Sequence, residues 1–314
     1  MKVKFWGVRG SIPTPLPPEA VRSKITTVVQ RIRPADLESP AAREFFLSRL
    51  PPWLFGTAGG NTSCIEVELQ PGSVVLFDGG SGLREFSAQL VHRNPRPTRF
   101  HLFFSHFHYD HLQGIPFFAP LGDPRVSVDF YSPEEGLKEK IEGQMLTPYF
   151  PVTFAMVTQA KTAFHRLGAE PLPLDGGRIF WKRMNHPGGC FAYKVSDGTN
   201  SVIYATDSEL TEKDFEKSPE NREFFENADA LILDSQYTLG EAVEKYNWGH
   251  SSFSLGVDFA AEWNIRNLYL FHHEPLYNDR KLHNNLQSAR WYYSHLGKSG
   301  LNIFLAEEGR ELEF

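Results

Sequence analysis

The sequence lacks the features that mark a secreted, disulfide-stabilised or membrane-spanning protein. Its 314 residues contain only two cysteines, Cys64 and Cys190, which lie far apart along the chain. Two distant cysteines make a disulfide framework an implausible basis for the fold and are typical of a reducing compartment. The sequence has no apolar run of membrane length and no signal-peptide region. We therefore expect a cytoplasmic protein that has no membrane partner.

The sequence also lacks an excess of positive charge. The chain has 32 Lys and Arg residues against 38 Asp and Glu residues, which gives a formal net charge of −6. Binding to nucleic acid depends on neutralising phosphates, and a negative chain offers no global attraction for them. A local basic patch would be hidden in that sum, but the net charge agrees with the expectation of a small-molecule substrate and no nucleic-acid partner.

No Pro/Ser/Gly linker, charge block or low-complexity tract divides the chain. We therefore predict a single domain over residues 1–314, which is long enough to bury a sizeable core. Residues 14–57 are expected to be a helical and proline-rich insertion between the first two strands, because several prolines interrupt regular structure there. The sequence leaves open whether this insertion is a surface decoration, a lid or a dimer arm.

Strands alternate with helices along most of the chain, and polar residues tend to follow the strands. The predicted strands are 2–8, 64–69, 73–77, 98–104, 126–131, 178–185, 191–195, 201–205, 230–233, 267–271 and 302–306, with a turn at Pro71-Gly72. Helices are predicted over 19–31, 41–50, 83–91, 134–142, 251–263 and 281–296. This order indicates an α/β fold in which helices cover the sheets.

The most informative segment is residues 105–114, with the sequence SHFHYDHLQG, which follows an apolar strand. It brings three histidines and one aspartate into six positions: His106, His108, Asp110 and His111. If these four side chains were buried in a hydrophobic core, each would need a polar partner. At the end of a strand they can instead bind divalent metal ions. His106 and His108 can face one ion while Asp110 and His111 face a second. A surface histidine cluster is the alternative.

Further metal-competent side chains follow predicted strands downstream. His186, Asp207 and His272 each lie just after a strand, and His273 competes with His272 for the last position. We favour His272 because it is the first residue past the strand. Asp78 also follows a strand, and either orients a metal-ligand loop or caps the next helix.

The motif His-x-His-x-Asp-His after an apolar strand resembles the signature of the metallo-β-lactamase superfamily, and five separated blocks of the chain follow the order of that family. The resemblance implies an αββα sandwich of two mixed sheets flanked by helices. It also implies two divalent metal ions. One would be bound by His106, His108 and His186, the other by Asp110, His111 and His272, with Asp207 bridging them. A ligand set of imidazole and carboxylate without thiolate is suited to zinc and can also bind manganese or iron.

A second pair of motifs resembles the phosphodiesterase branch of this superfamily, which includes the tRNA 3′-processing endonuclease and the phosphoribosyl cyclic phosphodiesterases. These motifs are Asp234 after an apolar strand and Gly249-His250-Ser251-Ser252. The resemblance implies that a hydroxide bridging the metals attacks the phosphorus, that His250 protonates the leaving alkoxide, and that Asp234 orients His250. Asp110 is expected to belong to the catalytic group as well as to the ligands. His250 as a helix-capping surface residue is the alternative.

The substrate is predicted from a feature that the chain lacks. The tRNA endonuclease usually carries a long basic arm between the positions that correspond to His186 and Asp207, and this chain has room there only for two strands and a turn. We therefore expect a small, cyclic phosphodiester, either a cyclic nucleotide or a phosphoribosyl cyclic phosphate. The candidate substrate contacts are Arg9, Asn61, Ser63, Phe117, Tyr149 and Phe150.

The resemblance to compact members of the branch also implies a homodimer. Three alternatives to a small-molecule phosphodiesterase remain: another hydrolase of this fold acting on a lactone, thioester or β-lactam, an RNA endonuclease, and a binding module without catalysis.

Overall fold

The computed structural model describes residues 1–70 and 73–314, so the predicted turn at Pro71-Gly72 lies outside the described residues. The strands are β1 (Lys2–Gly7), β2 (Cys64–Gln70), β3 (Ser73–Phe77), β4 (Arg99–Phe103), β5 (Ser127–Ser132), β6 (Lys161–Arg166), β7 (Leu172–Leu174), β8 (Gly177–Met184), β9 (Cys190–Ser196), β10 (Ser201–Ala205), β11 (Ala230–Asp234), β12 (Asn267–Phe271), β13 (Asn302–Leu305) and β14 (Glu311–Glu313).

The helices alternate with these strands. They are α1 (Pro18–Arg31), α2 (Pro40–Ser48), α3 (Pro52–Phe55), α4 (Gly82–Gln89), α5 (Leu137–Gly143), α6 (Phe154–Val157), α7 (Glu212–Phe215), α8 (Pro219–Phe225), α9 (Leu239–Glu244), α10 (Phe253–Glu262) and α11 (Asp279–Ser294). Short 3-10 turns supplement them, and one of these spans Tyr109–His111. Within the described ranges, no helix is both long enough and apolar enough to cross a bilayer.

The strands form two seven-stranded mixed sheets. The first has the order β14-β1-β2-β3-β4-β5-β6, and the second has the order β13-β12-β11-β10-β9-β8-β7. In each sheet one half is antiparallel and the other half is parallel, the parallel halves being β3–β6 and β10–β13. The predicted αββα sandwich of two mixed sheets is confirmed.

Buried side chains occupy three layers. One layer lies between the sheets, where the ring of Phe77 on β3 stacks on Tyr193 and Tyr204 of the other sheet, with centroid distances of 5.4 and 5.6 Å. The two other layers lie between each sheet and its helices. Because alternate strand residues point to opposite faces, each central strand contributes to two layers, and its near-continuous apolar sequence follows from that.

Three strands were not expected from the sequence: β6, β7 and β14. They lie at or near the sheet edges, and the burial of β6 is only partial. Short, half-exposed strands carry a weak apolar pattern, so only their pairing partners reveal them.

Residues 18–55 form α1, α2 and α3, which follow β1 and precede β2. No residue of α1 is buried, and its attachment is polar. The ammonium of Lys24 lies 2.5 Å from the Asp279 carboxylate at the start of α11. The single-domain assignment and the role of 14–57 as an insertion stay predictions.

Candidate metal centre

Most of the metal-competent side chains meet because parallel strands end at one edge of each sheet, whereas His186 follows the antiparallel strand β8. β4 leads into residues 105–111, β10 into Asp207 and β12 into His272. His272 and Asp78 adopt positive φ angles of 58° and 59° directly after β12 and β3, and Asp207 adopts a φ of 46° two residues after β10. Non-glycine residues pay a conformational cost there, and such cost is concentrated at functional sites.

The first group of candidate ligands consists of His106, His108, His186 and Asp207, whose ligand atoms all lie within 4.8 Å of one another. His186 Nε2 lies 3.3 Å from His108 Nδ1, and His106 Nε2 lies 3.6 Å from Asp207 Oδ2. Residues separated by about a hundred positions thus surround a single point. This is the arrangement that one divalent ion requires.

The second group consists of Asp110, His111 and His272. His111 Nε2 and His272 Nε2 lie 3.2 and 3.3 Å from Asp110 Oδ2, and each lies 3.2 Å from Asp207 Oδ1. Asp207 therefore has one oxygen towards each group. His273 points elsewhere, because its Nε2 donates to the carbonyl of Ala306 at 2.9 Å.

Unpartnered nitrogens test whether these residues fit a metal. His106 Nε2 is buried and has no hydrogen-bond partner among the described residues, and His111 Nε2, although 3.2 Å from oxygens of Asp110 and Asp207, makes no well-aligned hydrogen bond to either. A buried polar atom without a partner is costly unless something else binds it. Burial also lowers the pKa of His106 well below its usual value, which favours the neutral form that binds metals. The donor set therefore fits divalent metal ions.

The opposite nitrogens of these imidazoles are held by neighbouring groups. Asp78 Oδ2 lies 2.8 Å from His111 Nδ1, and the same carboxylate accepts hydrogen bonds from the Ser105 amide, the Ser105 hydroxyl and the Tyr204 hydroxyl. Bonds of this kind fix the tautomer of a metal-ligating histidine and turn its other nitrogen inward.

His186 is oriented from a different part of the chain. Its Nδ1 donates to the carbonyl of Gly249 at 3.0 Å. Gly249 has a φ of +88°, and a Cβ at this position would lie 2.2 Å from His186 Nδ1. Glycine is required here because the backbone comes so close to the imidazole.

His250 and Asp234 form a pair beside the cluster. His250 Nδ1 lies 2.6 Å from Asp234 Oδ2, and the His250 ring lies 5.0 Å from the ring of His272 and 5.4 Å from that of His186. Burial alone would lower the pKa of His250, but Asp234, with smaller contributions from Asp207 and Asp110, raises it to about 9. His250 can also form a ligand group with Asp207 and His272.

Three of the expected substrate contacts are buried or bonded to other parts of the chain, and their contact with a substrate stays a prediction. Arg9 is buried, and its guanidinium donates to the carbonyls of Gly59, Glu274 and Tyr277. The Asn61 side chain is bonded to Glu308 and Ser81. Ser63 is fully buried. Arg9 and Asn61 hold loops together, and the sequence could not show this because several of their partners are far along the chain, whereas the Ser63 hydroxyl has no hydrogen-bond partner among the described residues.

The three aromatic candidates are more accessible. Tyr149 and Phe117 are exposed, and Phe117 packs edge-on against the half-buried Phe150 at 6.1 Å. Their contact with a substrate stays a prediction.

Sequence reasoning missed Glu209, which lies two residues after Asp207. Its carboxylate accepts hydrogen bonds from the backbone amides of Asn247 and Gly249, both at 2.9 Å. A carboxylate near the end of a strand was a visible signal, but its partners were not.

Comparison with known proteins gives a consistent picture. The family model described as "Beta-lactamase superfamily domain" matches residues 74–273. A ribonuclease Z of Prochlorococcus marinus subsp. pastoris is 23% identical over 279 residues, covering 72% of this chain and 88% of that protein. A ribonuclease Z of Oceanobacillus iheyensis is 23% identical over 263 residues, covering 69% and 84%.

Solved structures share the fold over the whole chain. The metallo-β-lactamase fold protein YhfI from Bacillus subtilis has a TM-score of 0.65 at 18% identity and covers 100% of this chain and 98% of its own. A diphosphatase from the PhnP family has a TM-score of 0.62 at 17% identity, with coverage of 100% and 97%.

The expectation that nucleic acid is not a partner is wrong, because these curated relatives are ribonucleases. The inference failed because a net charge of −6 averages over the whole surface, whereas binding depends on the local field at one site. The family match, the fold and the His/Asp cluster together show that the chain belongs to the metallo-β-lactamase superfamily and is a metal-dependent hydrolase.

Proposed function

We propose that this hydrolase cleaves phosphodiesters, with two divalent ions, zinc by preference, held by the seven-residue cluster described above and with His250 as the general acid. The observation that carries the proposal is the Asp234–His250 pair, at 2.6 Å, beside both groups of candidate ligands. When the leaving group of a phosphodiester is poor, its cleavage requires a proton donor for the leaving oxygen, and this donor must stand beside the metal site where the phosphate binds.

In this proposed reaction the residues of the site have different roles. When bound, two divalent ions supply a water that is deprotonated near neutral pH and neutralise charge on the phosphate. Asp207 would hold both ions, because its two oxygens face different groups of candidate ligands. His250 turns Nδ1 towards Asp234, which leaves Nε2 to carry the proton for the leaving oxygen. Asp78 keeps His111 in place through Nδ1.

Two substrate classes are supported by different observations. Diesters of RNA are supported by the ribonuclease Z relatives, which match more than two thirds of the chain. A small cyclic phosphodiester is supported by the segment between His186 and Asp207, which β9, β10 and short turns occupy without an inserted arm. Both classes present a phosphodiester to the same residues, and RNA and cyclic nucleotides also carry a nucleoside.

The test is a substrate panel for protein loaded separately with zinc and with manganese. It contains a 3′-extended tRNA, 2′,3′- and 3′,5′-cyclic nucleotides, bis(p-nitrophenyl) phosphate, a lactone and a thioester. We expect turnover of at least one diester, and no turnover by the Asp207→Asn variant. Two bound ions without hydrolysis of any diester, or hydrolysis of the lactone or thioester alone, would contradict the proposal.

A further inference from the structure

A large aromatic side chain stands exposed on the segment that leads to His250. The indole of Trp248 has 61% of its surface exposed. The backbone around it is nevertheless held firmly. The Trp248 amide donates to the carbonyl of Lys245 at 3.0 Å, and the amides on both sides of Trp248, those of Asn247 and Gly249, donate to the carboxylate of Glu209. The exposed ring is therefore carried by a backbone segment that is fixed in place.

This backbone segment lies directly against the candidate metal centre. Gly249, the next residue, accepts the hydrogen bond from His186 Nδ1, and His250 follows it. Glu209, which holds the segment, is tied in turn to the strand end before His186, because its amide donates to the carbonyl of Asn185 at 2.9 Å. Trp248 is thus one residue away from a ligand contact and two residues away from the proposed acid.

A cation lies in the same place. The ammonium of Lys245 is 5.7 Å from the centre of the Trp248 ring and 4.2 Å from the centre of the Tyr237 ring. The Tyr237 ring is perpendicular to the His250 ring at 5.8 Å. Lys245 is 30% exposed, and the Glu274 carboxylate lies 3.8 Å from its ammonium. The buried Tyr237 ring, the partly exposed Lys245 ammonium and the exposed Trp248 ring therefore follow one another outward from His250.

We propose that Trp248 and Lys245 form a subsite for the nucleoside of the leaving group, with the indole stacking on the base and the ammonium facing a phosphate oxygen. The proposal rests on the proposed function and deepens it, since it commits the substrate to one that bears a base. Bases stack on exposed aromatic rings whatever their identity, because every base has a π-face. The subsite serves the leaving group because it adjoins the residue that protonates the leaving oxygen.

The subsite is tested by binding, without turnover. The affinities of adenosine 5′-monophosphate and ribose 5-phosphate for the zinc-loaded protein are measured by calorimetry. The two probes share the phosphate and the ribose, and only the first has a base. We expect the native protein to prefer the nucleotide by roughly tenfold, the usual effect of stacking one base. Trp248→Ala should reduce the preference to near one, whereas Trp248→Tyr should keep most of it.

Two further variants separate the parts of the subsite. Trp291→Ala is the matched control, because Trp291 is 65% exposed on α11 and packs on His295. It should leave both affinities unchanged. Lys245→Met removes the charge but keeps the length of the side chain. It should weaken both probes by about two- to fivefold and leave their ratio unchanged.

A preference that survives Trp248→Ala, or a native protein that binds both probes equally, would overturn the proposal. Metal content and the thermal unfolding temperature of each variant are recorded, so that a loss of fold is recognised. The outcome is separable from that of the proposed function. A Trp248-dependent preference in a protein that hydrolyses no diester would leave the subsite standing and remove the reaction, and the reverse result would remove only the subsite.

Discussion

Replacing His250 by alanine tests the proposed general acid directly. Asp234, fully buried, would keep its hydrogen bonds from the amides of Ser208, Gln236 and Ser251, so the local backbone should persist. The seven candidate metal ligands are untouched. The variant should therefore fold and retain its metal while losing the proton donor.

The expected loss follows from the usual contribution of a positioned acid. General acid catalysis is worth about 10²–10⁴ in rate, which corresponds to about 3–5 kcal/mol of transition-state stabilisation. We expect kcat for a diester with an alkyl leaving group to fall by this factor. A p-nitrophenyl diester, whose leaving group needs no proton, should lose far less.

The assay is steady-state hydrolysis of both diesters together with the metal content of each protein. His92→Ala is a control, because His92 is exposed. An unchanged rate for the alkyl diester would refute the acid role. Loss of one metal ion in His250→Ala would instead show that His250 is a ligand together with Asp207 and His272, the other arrangement that its position allows.

Three further changes have predicted outcomes. Asp207→Asn removes charge from the residue that faces both ligand groups, so at least one of the two expected ions should be lost on elemental analysis, with two retained ions contradicting the bridging role. Phe77→Ala, between the sheets, should cost about 3–5 kcal/mol in denaturant unfolding, and a cost below about 1 kcal/mol would show that the layer repacks. Burial and then Arg99 lower the pKa of His101, so the unfolded chain binds this proton more tightly and stability should fall as the pH drops below about 6.5. His101→Gln should flatten this slope in pH-dependent unfolding, and an identical slope in both proteins would exclude the contribution.

Two side chains that are predicted to contact substrate are bonded to distant parts of the chain. From the sequence, Arg9 and Asn61 are polar side chains that could hydrogen-bond a phosphate or a ribose. In the fold, their partners come from residues 274–277 and from Glu308, more than two hundred positions away. A polar side chain near a site is equally suited to bind substrate or to join loops. Only the position of its partner distinguishes the two.

The sequence by itself determined the fold class and the chemistry of the centre. Four ligand-type side chains in six positions after an apolar strand favour a metal site over a surface histidine cluster, and alternating strands and helices indicate covered sheets. These are local properties, set by spacing and by the period of apolar residues.

The tertiary structure decided everything that depends on contacts between distant residues. It turned His272 rather than His273 to the cluster, and it brought Glu209 against the segment that carries Trp248. It also paired the edge strand β14 with β1. Such contacts form only when the sheets are assembled, because no local spacing specifies which of many compatible polar or strand partners will meet.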